Sequence, residues 1–178
     1  MRKSAFILIC LIALSPAISR AETIIHNFDA LNGASAIAYS NSNTVGQVHG
    51  TDTVYTCSGT NAKFYSDVNT SYLLCICLPR SGNQVVLTPA ISDLDSIHFT
   101  YNPNAYREIK VYTSTDNDTW TEQTVRLLSP GNSSVQLPTT GNYFVKFRNP
   151  SGTNDFYIRE IKYITKPSEC HCLRVVSE

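Results

Sequence analysis

The stretch Ser96–Tyr101, with the sequence SIHFTY, decides the fold class of this 178-residue chain. Its apolar residues occupy every second position, and successive side chains of a β-strand point to opposite faces. Two later segments, 108–113 and 142–148, repeat the same alternation. We therefore predict antiparallel strands that are each covered on one face only.

Two segments predict how the strands are placed. In residues 142–148, Lys146 and Arg148 alternate with apolar residues, so we expect them on the solvent side of their strand. Residues 71–78 are apolar on both faces, which is typical of a strand in the interior of a sheet.

Turn-forming residues divide the second half of the chain at short intervals. They occur at 116–118, at 130–132, at Pro138 with Gly141, and at 149–152. No segment shows apolar residues at helical spacing with capping residues. Many short strands separated in this way indicate one all-β domain, a sandwich or a barrel, which we place at residues 22–165. A cysteine-containing tail, 166–178, follows it.

The first 21 residues have the pattern of a secretory signal peptide. Arg2 and Lys3 precede an apolar run of ten residues, and Ser19 and Ala21 supply the small residues of a cleavage site. The run is too short to span a bilayer, which needs about 20 apolar residues. We predict a chain that is secreted, periplasmic or at the cell surface, with no membrane span.

The charge balance argues against a nucleic-acid partner. The 14 basic and 14 acidic residues give a formal net charge of +0. Three basic residues and no acidic ones lie in the signal peptide, so the remainder is net acidic. A general nucleic-acid binder would carry a strong positive charge.

Three segments of the second half resemble galactose-binding-like jelly-roll domains, a class that includes many carbohydrate-binding modules. The hairpin segment 113–121, TSTDNDTWT, is similar to a turn common in that family, with Asn117-Asp118 where glycine is usual. The strands at 97–101 and 155–161 are also similar, although Arg159 replaces an acidic residue of the family pattern. The resemblance covers residues 84–164 and implies a single antiparallel jelly-roll sandwich.

The resemblance also implies a cofactor. Modules of this family often hold a structural calcium ion, and Asp29 and Glu160 stand at the corresponding positions by chain order. Calcium needs six or more oxygen ligands, and no motif in the sequence supplies the others.

Catalytic patterns are absent from the sequence. It contains no Gly-x-Ser-x-Gly elbow, no phosphate-binding glycine loop and no His-Glu-x-x-His motif. The carboxylates of Asp93 and Asp95 share one face of a strand, which fits a polar strand end better than a glycosidase pair. We predict that the protein is not an enzyme. A small secreted hydrolase would require a cleft that brings together carboxylates, or His26 and His49.

Five cysteines follow the signal peptide, and an exported protein ordinarily forms disulfides. The disulfide candidates are Cys57, Cys75, Cys77, Cys170 and Cys172. One arrangement ties the tail to the strand that carries Cys75 and Cys77, while free buried thiols remain an alternative. The odd number leaves one thiol free or linked to a second chain, so a cysteine-linked dimer is also possible. A metal site is a further alternative, although one-residue spacing is unusual for zinc.

Aromatic and amide residues predict the ligand. Sugars combine apolar C–H faces with hydroxyl groups, so proteins bind them with aromatic rings and hydrogen-bonding side chains. One loop between two strands and the single tryptophan supply these types. The predicted ligand-binding residues are Tyr101, Asn102, Asn104, Tyr106, Arg107 and Trp120.

These patterns favour a non-catalytic, secreted module that binds a polysaccharide or glycan. The first alternative is an extracellular protein-interaction or structural module, and the second is the small hydrolase.

Overall fold

The computed structural model describes residues 21–28, 37–39, 44–48, 51–65, 75–79, 82–102, 109–150 and 155–166. These residues form twelve strands and no helix. The strands are β1 Glu22–Asn27, β2 Ile37–Tyr39, β3 Val45–Val48, β4 Val54–Ser58, β5 Lys63–Tyr65, β6 Cys75–Leu78, β7 Gln84–Tyr101, β8 Lys110–Ser114, β9 Thr121–Gln123, β10 Val125–Ser129, β11 Asn132–Arg148 and β12 Phe156–Thr165. Within the described residues, no helix is long and apolar enough to cross a membrane.

The strands make two facing layers, because β7 and β11 each contribute to both. Layer A has the order β2-β3-β4-β7-β11-β8-β9 and uses the first part of β7 and the last part of β11. In layer B, the last part of β7 lies between β12 and the first part of β11. β10 borders β11, whereas β1 and β6 pair with the other side of β12, and β5 pairs with β6. The predicted all-β antiparallel sandwich is confirmed.

The core lies between the layers and follows the alternation of the sequence. Ile97, Phe99, Val111 and Val145 are all at most 2% exposed. The Phe99 ring of layer B meets the Phe147 ring of layer A edge to face, with centroids 5.4 Å apart.

β6 is buried on both faces and pairs with β5 on one side and β12 on the other. The predicted interior strand is therefore confirmed for Cys75–Leu78.

The corner between the layers corrects one sequence prediction. β7 and β11 contain 18 and 17 residues, three times the usual length of a strand, so they must bend to stay in a compact core. The register of β11 against β7 shifts between Gln136 and Tyr143. Pro138 and Gly141, predicted as a turn between two strands, instead lie inside β11 where it changes layer. A strand bend tolerates the missing N–H of proline as a hairpin turn does.

Candidate functional site

The outer face of layer A carries two aromatic rings and a lysine in contact. Lys146 of β11 lies opposite Tyr112 of β8 in the strand register. Its Nζ atom is 4.1 Å from the centroid of the Trp120 ring and 5.0 Å from that of Tyr112. Both rings are partly exposed. We call Tyr112, Trp120 and Lys146 the aromatic platform.

The hairpin between β8 and β9 places Trp120 on this face. Asp116 accepts hydrogen bonds from the Ser114 hydroxyl at 2.7 Å and from the backbone N–H groups of Asp118 and Thr119 at 2.9 and 2.8 Å. These bonds to the ionised carboxylate hold the pKa of Asp116 well below its usual range. Asn117 has a φ of 63°, the left-handed conformation that asparagine tolerates better than most residues. Trp120 follows directly and precedes β9.

Charged side chains surround the platform. Lys110 and Glu122 form an ion pair of 2.9 Å across β8 and β9. Arg148, exposed on β11, lies opposite Lys110 and two residues from Lys146. Partial burial, and secondarily the positive charge of Arg148, lower the pKa of Lys146. The face therefore offers ring surfaces together with donors and one carboxylate.

The predicted loop site is described only at its first two residues. Tyr101 packs against the core, and its ring stacks on Phe156 with centroids 4.8 Å apart. Asn102 is partly exposed, and its backbone N–H donates to the carbonyl of Tyr157 at 3.2 Å. Asn104, Tyr106 and Arg107 lie outside the described residues, so their role stays a prediction.

Trp120 and Tyr101 belong to different parts of the sandwich. Tyr101 ends β7 in layer B, where its N–H donates to the carbonyl of Gly131. Because Phe99 faces Phe147 across the core, Tyr101 lies near the Arg148–Lys110 end of layer A. The Trp120 hairpin leaves β8 at its other end, after Ser114, about 13 Å further along at roughly 3.3 Å per residue. Tyr101 and Trp120 therefore lie in different layers, and the ligand role of each stays a prediction.

Sequence reasoning missed Tyr112 and gave no ligand role to Lys146. Both occupy the outward phase of alternating strands, and Lys146 was predicted to face solvent. An outward aromatic residue on such a strand was the available signal. The strand register that brings Lys146 to the rings of Tyr112 and Trp120 could not be predicted from either strand alone.

The described cysteines are buried. Cys57, Cys75 and Cys77 are 6%, 1% and 5% exposed, and Cys57 and Cys77 are free thiols in the structure. Burial, and secondarily the nearby Cys77, raise the pKa of the Cys57 thiol to about 12. Burial, and secondarily the charge of Asp155, raise the pKa of the Cys77 thiol to about 11. Cys170 and Cys172 lie outside the described residues, so their pairing stays a prediction.

The calcium prediction stays a prediction, because Asp29 lies outside the described residues. Glu160 pairs with Asn27 in the β1–β12 register, and its carboxylate makes an ion pair of 3.1 Å with Lys162. Within the part of the chain that the structure describes, no group of three metal-ligating side chains is present.

His26 lies in the core. It is 3% exposed, and its Nδ1 atom is 2.7 Å from the hydroxyl of Tyr55, which is in turn 2.8 Å from the hydroxyl of Tyr163. Burial lowers the pKa of His26 to about 4. His49, its predicted hydrolase partner, lies outside the described residues.

The carboxylate pair Asp93–Asp95 lies at the layer corner. Asp95 is 3.0 Å from the Nζ atom of Lys166, and the backbone carbonyl of Asp93 accepts from the N–H of Lys166. Burial raises the pKa of Asp95, but hydrogen bonds from Lys166, Gln136 and Thr140 outweigh it and lower the pKa overall. These contacts assign Asp95 a structural role at the strand bend.

Comparison with known proteins assigns the chain to no family. No protein-family model and no curated protein matches the chain. It is similar to a solved structure, CBM32-3 from a family 31 glycoside hydrolase of Clostridium perfringens. The match has 16% identity and a TM-score of 0.35, and it covers 83% of this chain and 91% of that one. Nothing about a ligand follows from this match.

Proposed function

We propose that this protein is an exported, non-catalytic carbohydrate-binding module whose ligand contacts the aromatic platform. The observation that carries the proposal is the contact of two partly exposed rings, Trp120 and Tyr112, with one lysine ammonium on a sheet face. A lone exposed aromatic residue is common on protein surfaces, whereas two rings beside a shared hydrogen-bond donor suit a ligand with both apolar and polar faces.

The platform matches the chemistry of a sugar. The C–H face of a pyranose ring can pack on the exposed part of Trp120 or Tyr112. The ammonium group of Lys146 and the carboxylate of Glu122 can then bond to its hydroxyl groups. Lys146, Tyr112 and Glu122 stand on three neighbouring strands, and Trp120 directly precedes the third; a sheet holds such a group more rigidly than a loop does.

The loop from Tyr101 to Arg107 remains our second candidate surface within the same function. Asn102 begins the loop at the edge of the sandwich. The composition of residues 102–107, two asparagines, a tyrosine and an arginine, supports a contact with sugar hydroxyl groups. Calcium binding by Asp29 and Glu160, and export directed by residues 1–21, are parts of the proposal that need their own tests.

Tryptophan fluorescence tests the platform directly, because Trp120 is the only tryptophan in the chain. The mature protein is titrated with soluble galactan, xylan, β-glucan and polygalacturonate, and binding is measured in parallel by affinity gel electrophoresis. We expect at least one polysaccharide to retard the protein and to shift or quench the emission with a saturable dependence. Retardation with unchanged emission would indicate that the polysaccharide binds at the loop from Tyr101 to Arg107. No retardation by any polysaccharide would reject the proposal.

A second candidate function is an extracellular protein-interaction module, and edge strand β10 favours it. Leu127 and Leu128 are 63% and 51% exposed on a strand that, among the described residues, pairs with β11 alone. Exposed apolar edge strands tend to pair with other chains. Size-exclusion chromatography distinguishes the cases: self-association that Leu127→Asp abolishes supports this function. A dimer that is lost only on reduction supports a cysteine link.

A further inference from the structure

Among the described residues, Lys110, Lys146 and Arg148 share the outer face of layer A with one carboxylate, that of Glu122. The chain that follows the predicted signal peptide is net acidic. Asp116 and Asp118 belong to the hairpin beyond the end of β8, where the carboxylate of Asp116 is engaged by the turn. The described cations of this face therefore lie on the strands beside the platform, and the two hairpin carboxylates lie beyond the end of β8.

Within the described part of the chain, two of these three cations make no ion pair. Lys110 makes an ion pair of 2.9 Å with Glu122. Among the described residues, no carboxylate lies within ion-pair distance of Lys146 or Arg148. Arg148 lies opposite Lys110 in the register, and its guanidinium group lies beside Gly82. An anionic ligand could supply the counter-charge of Arg148 and Lys146.

We propose that the platform selects anionic polysaccharides, whose carboxylate or sulfate groups bind Arg148 and Lys146 while the sugar rings contact Trp120 and Tyr112. This proposal rests on the proposed function and specifies its ligand class. The guanidinium group of Arg148 can bind a carboxylate or sulfate through two parallel hydrogen bonds. Lys146 is two residues away on the same strand face, so the anion site and the ring site adjoin each other.

The test compares one polymer with and without its charge. Affinity gel electrophoresis and calorimetry measure binding to polygalacturonate, to its fully methyl-esterified form, to heparin and to polyglutamate. Arg148→Gln removes one unpaired cation, and Lys162→Gln, on the other layer, is the control with the same change in net charge. Circular dichroism and thermal unfolding confirm that both variants are folded.

We expect polygalacturonate to bind about tenfold more tightly than its methyl ester, with an affinity that falls as salt is raised. Arg148→Gln should weaken binding of the charged polymer about fivefold or more and leave the ester unaffected, and Lys162→Gln should change neither. Binding of heparin alone would support the proposal with sulfate as the anionic group.

Three outcomes would overturn the proposal. Equal affinity for polygalacturonate and its ester would reject the anion selectivity and leave the carbohydrate-binding function standing. Binding of polyglutamate as tight as that of polygalacturonate would show a surface that recognises charge without sugar. Failure of every polysaccharide, charged or neutral, would reject the proposed function and this inference together.

Discussion

Single residues show where the sequence predicts the site and where it does not. The alternation of residues 142–148 predicts an outward Lys146, and the structure has it so. The contact of Lys146 with Trp120 depends on the pairing of β11 with β8 and on the shape of the hairpin. Pairing between strands that are distant in sequence is not written in either strand alone, so the platform required the structure.

The buried His26 predicts how stability depends on pH. Its pKa is about 4 in the folded chain and ordinarily 6.5, so the unfolded chain binds the additional proton. The neutral, buried His26 therefore contributes stability that is fully present above pH 6.5 and is lost as the pH falls toward 4. The free energy of unfolding decreases by about 3 kcal/mol over this range. Tyr55 and Tyr163 face this histidine, and burial raises the pKa of both, so neither tyrosine titrates in this range.

Urea unfolding at pH 7.0, 6.0 and 5.0 measures this loss. We expect the free energy of unfolding of the wild type to decrease as the pH is lowered from 7.0 to 5.0. In His26→Gln it should be nearly constant, because glutamine does not titrate. Equal slopes for the two proteins would show that His26 is not the group responsible.

The buried thiols give a second prediction at this scale. Against an ordinary pKa of 9.0, values of about 12 and about 11 reduce the thiolate fraction of Cys57 and Cys77 by factors of about 1000 and 100. We expect iodoacetamide at pH 8 to leave both unmodified in the native protein and to alkylate both after unfolding in guanidinium without reductant, as peptide mass spectrometry shows. Modification of the unfolded chain only after reduction would reveal disulfides instead.

At the scale of strands, the sequence predicts their phase better than their ends. The inward and outward residues of β7, β8 and β11 agree with the period of two. Pro138 and Gly141 have the composition of a turn, but β11 continues through them, because the strand must bend into the second layer. Local composition is the same for a turn and for a strand corner, so only the tertiary arrangement distinguishes them.

The hairpin between β8 and β9 gives a prediction at this scale. Asn117 has a φ of 63°, which a β-branched side chain disfavours strongly. Asn117→Val should lower the free energy of unfolding by about 1–2 kcal/mol, and Asn117→Gly, which adopts a positive φ without steric cost, should change it by no more than about 0.5 kcal/mol. Urea unfolding of the two variants is the measurement, and equal stability would show that the backbone of the turn is not strained.

For the whole molecule, the sequence alone predicts an antiparallel sandwich because alternation, turn spacing and the absence of helical periodicity all agree. The position of the ligand surface is harder to predict. Aromatic residues occur both in the loop that starts at Tyr101 and on the face that carries Trp120. Only the packing shows that Tyr101 stacks on Phe156, while Trp120 lies on the outer face against Lys146. The sequence could not rank the two surfaces.

The most direct test of the account measures which surface binds the sugar. Affinity for the tightest polysaccharide of the panel is determined by calorimetry for three variants: Trp120→Ala, the loop variant Asn102→Ala/Arg107→Ala, and Leu127→Ala as the control for a lost exposed apolar side chain. We predict a loss of about tenfold or more for Trp120→Ala and changes within about twofold for the other two. A large loss in the loop variant with unchanged binding by Trp120→Ala would contradict the account.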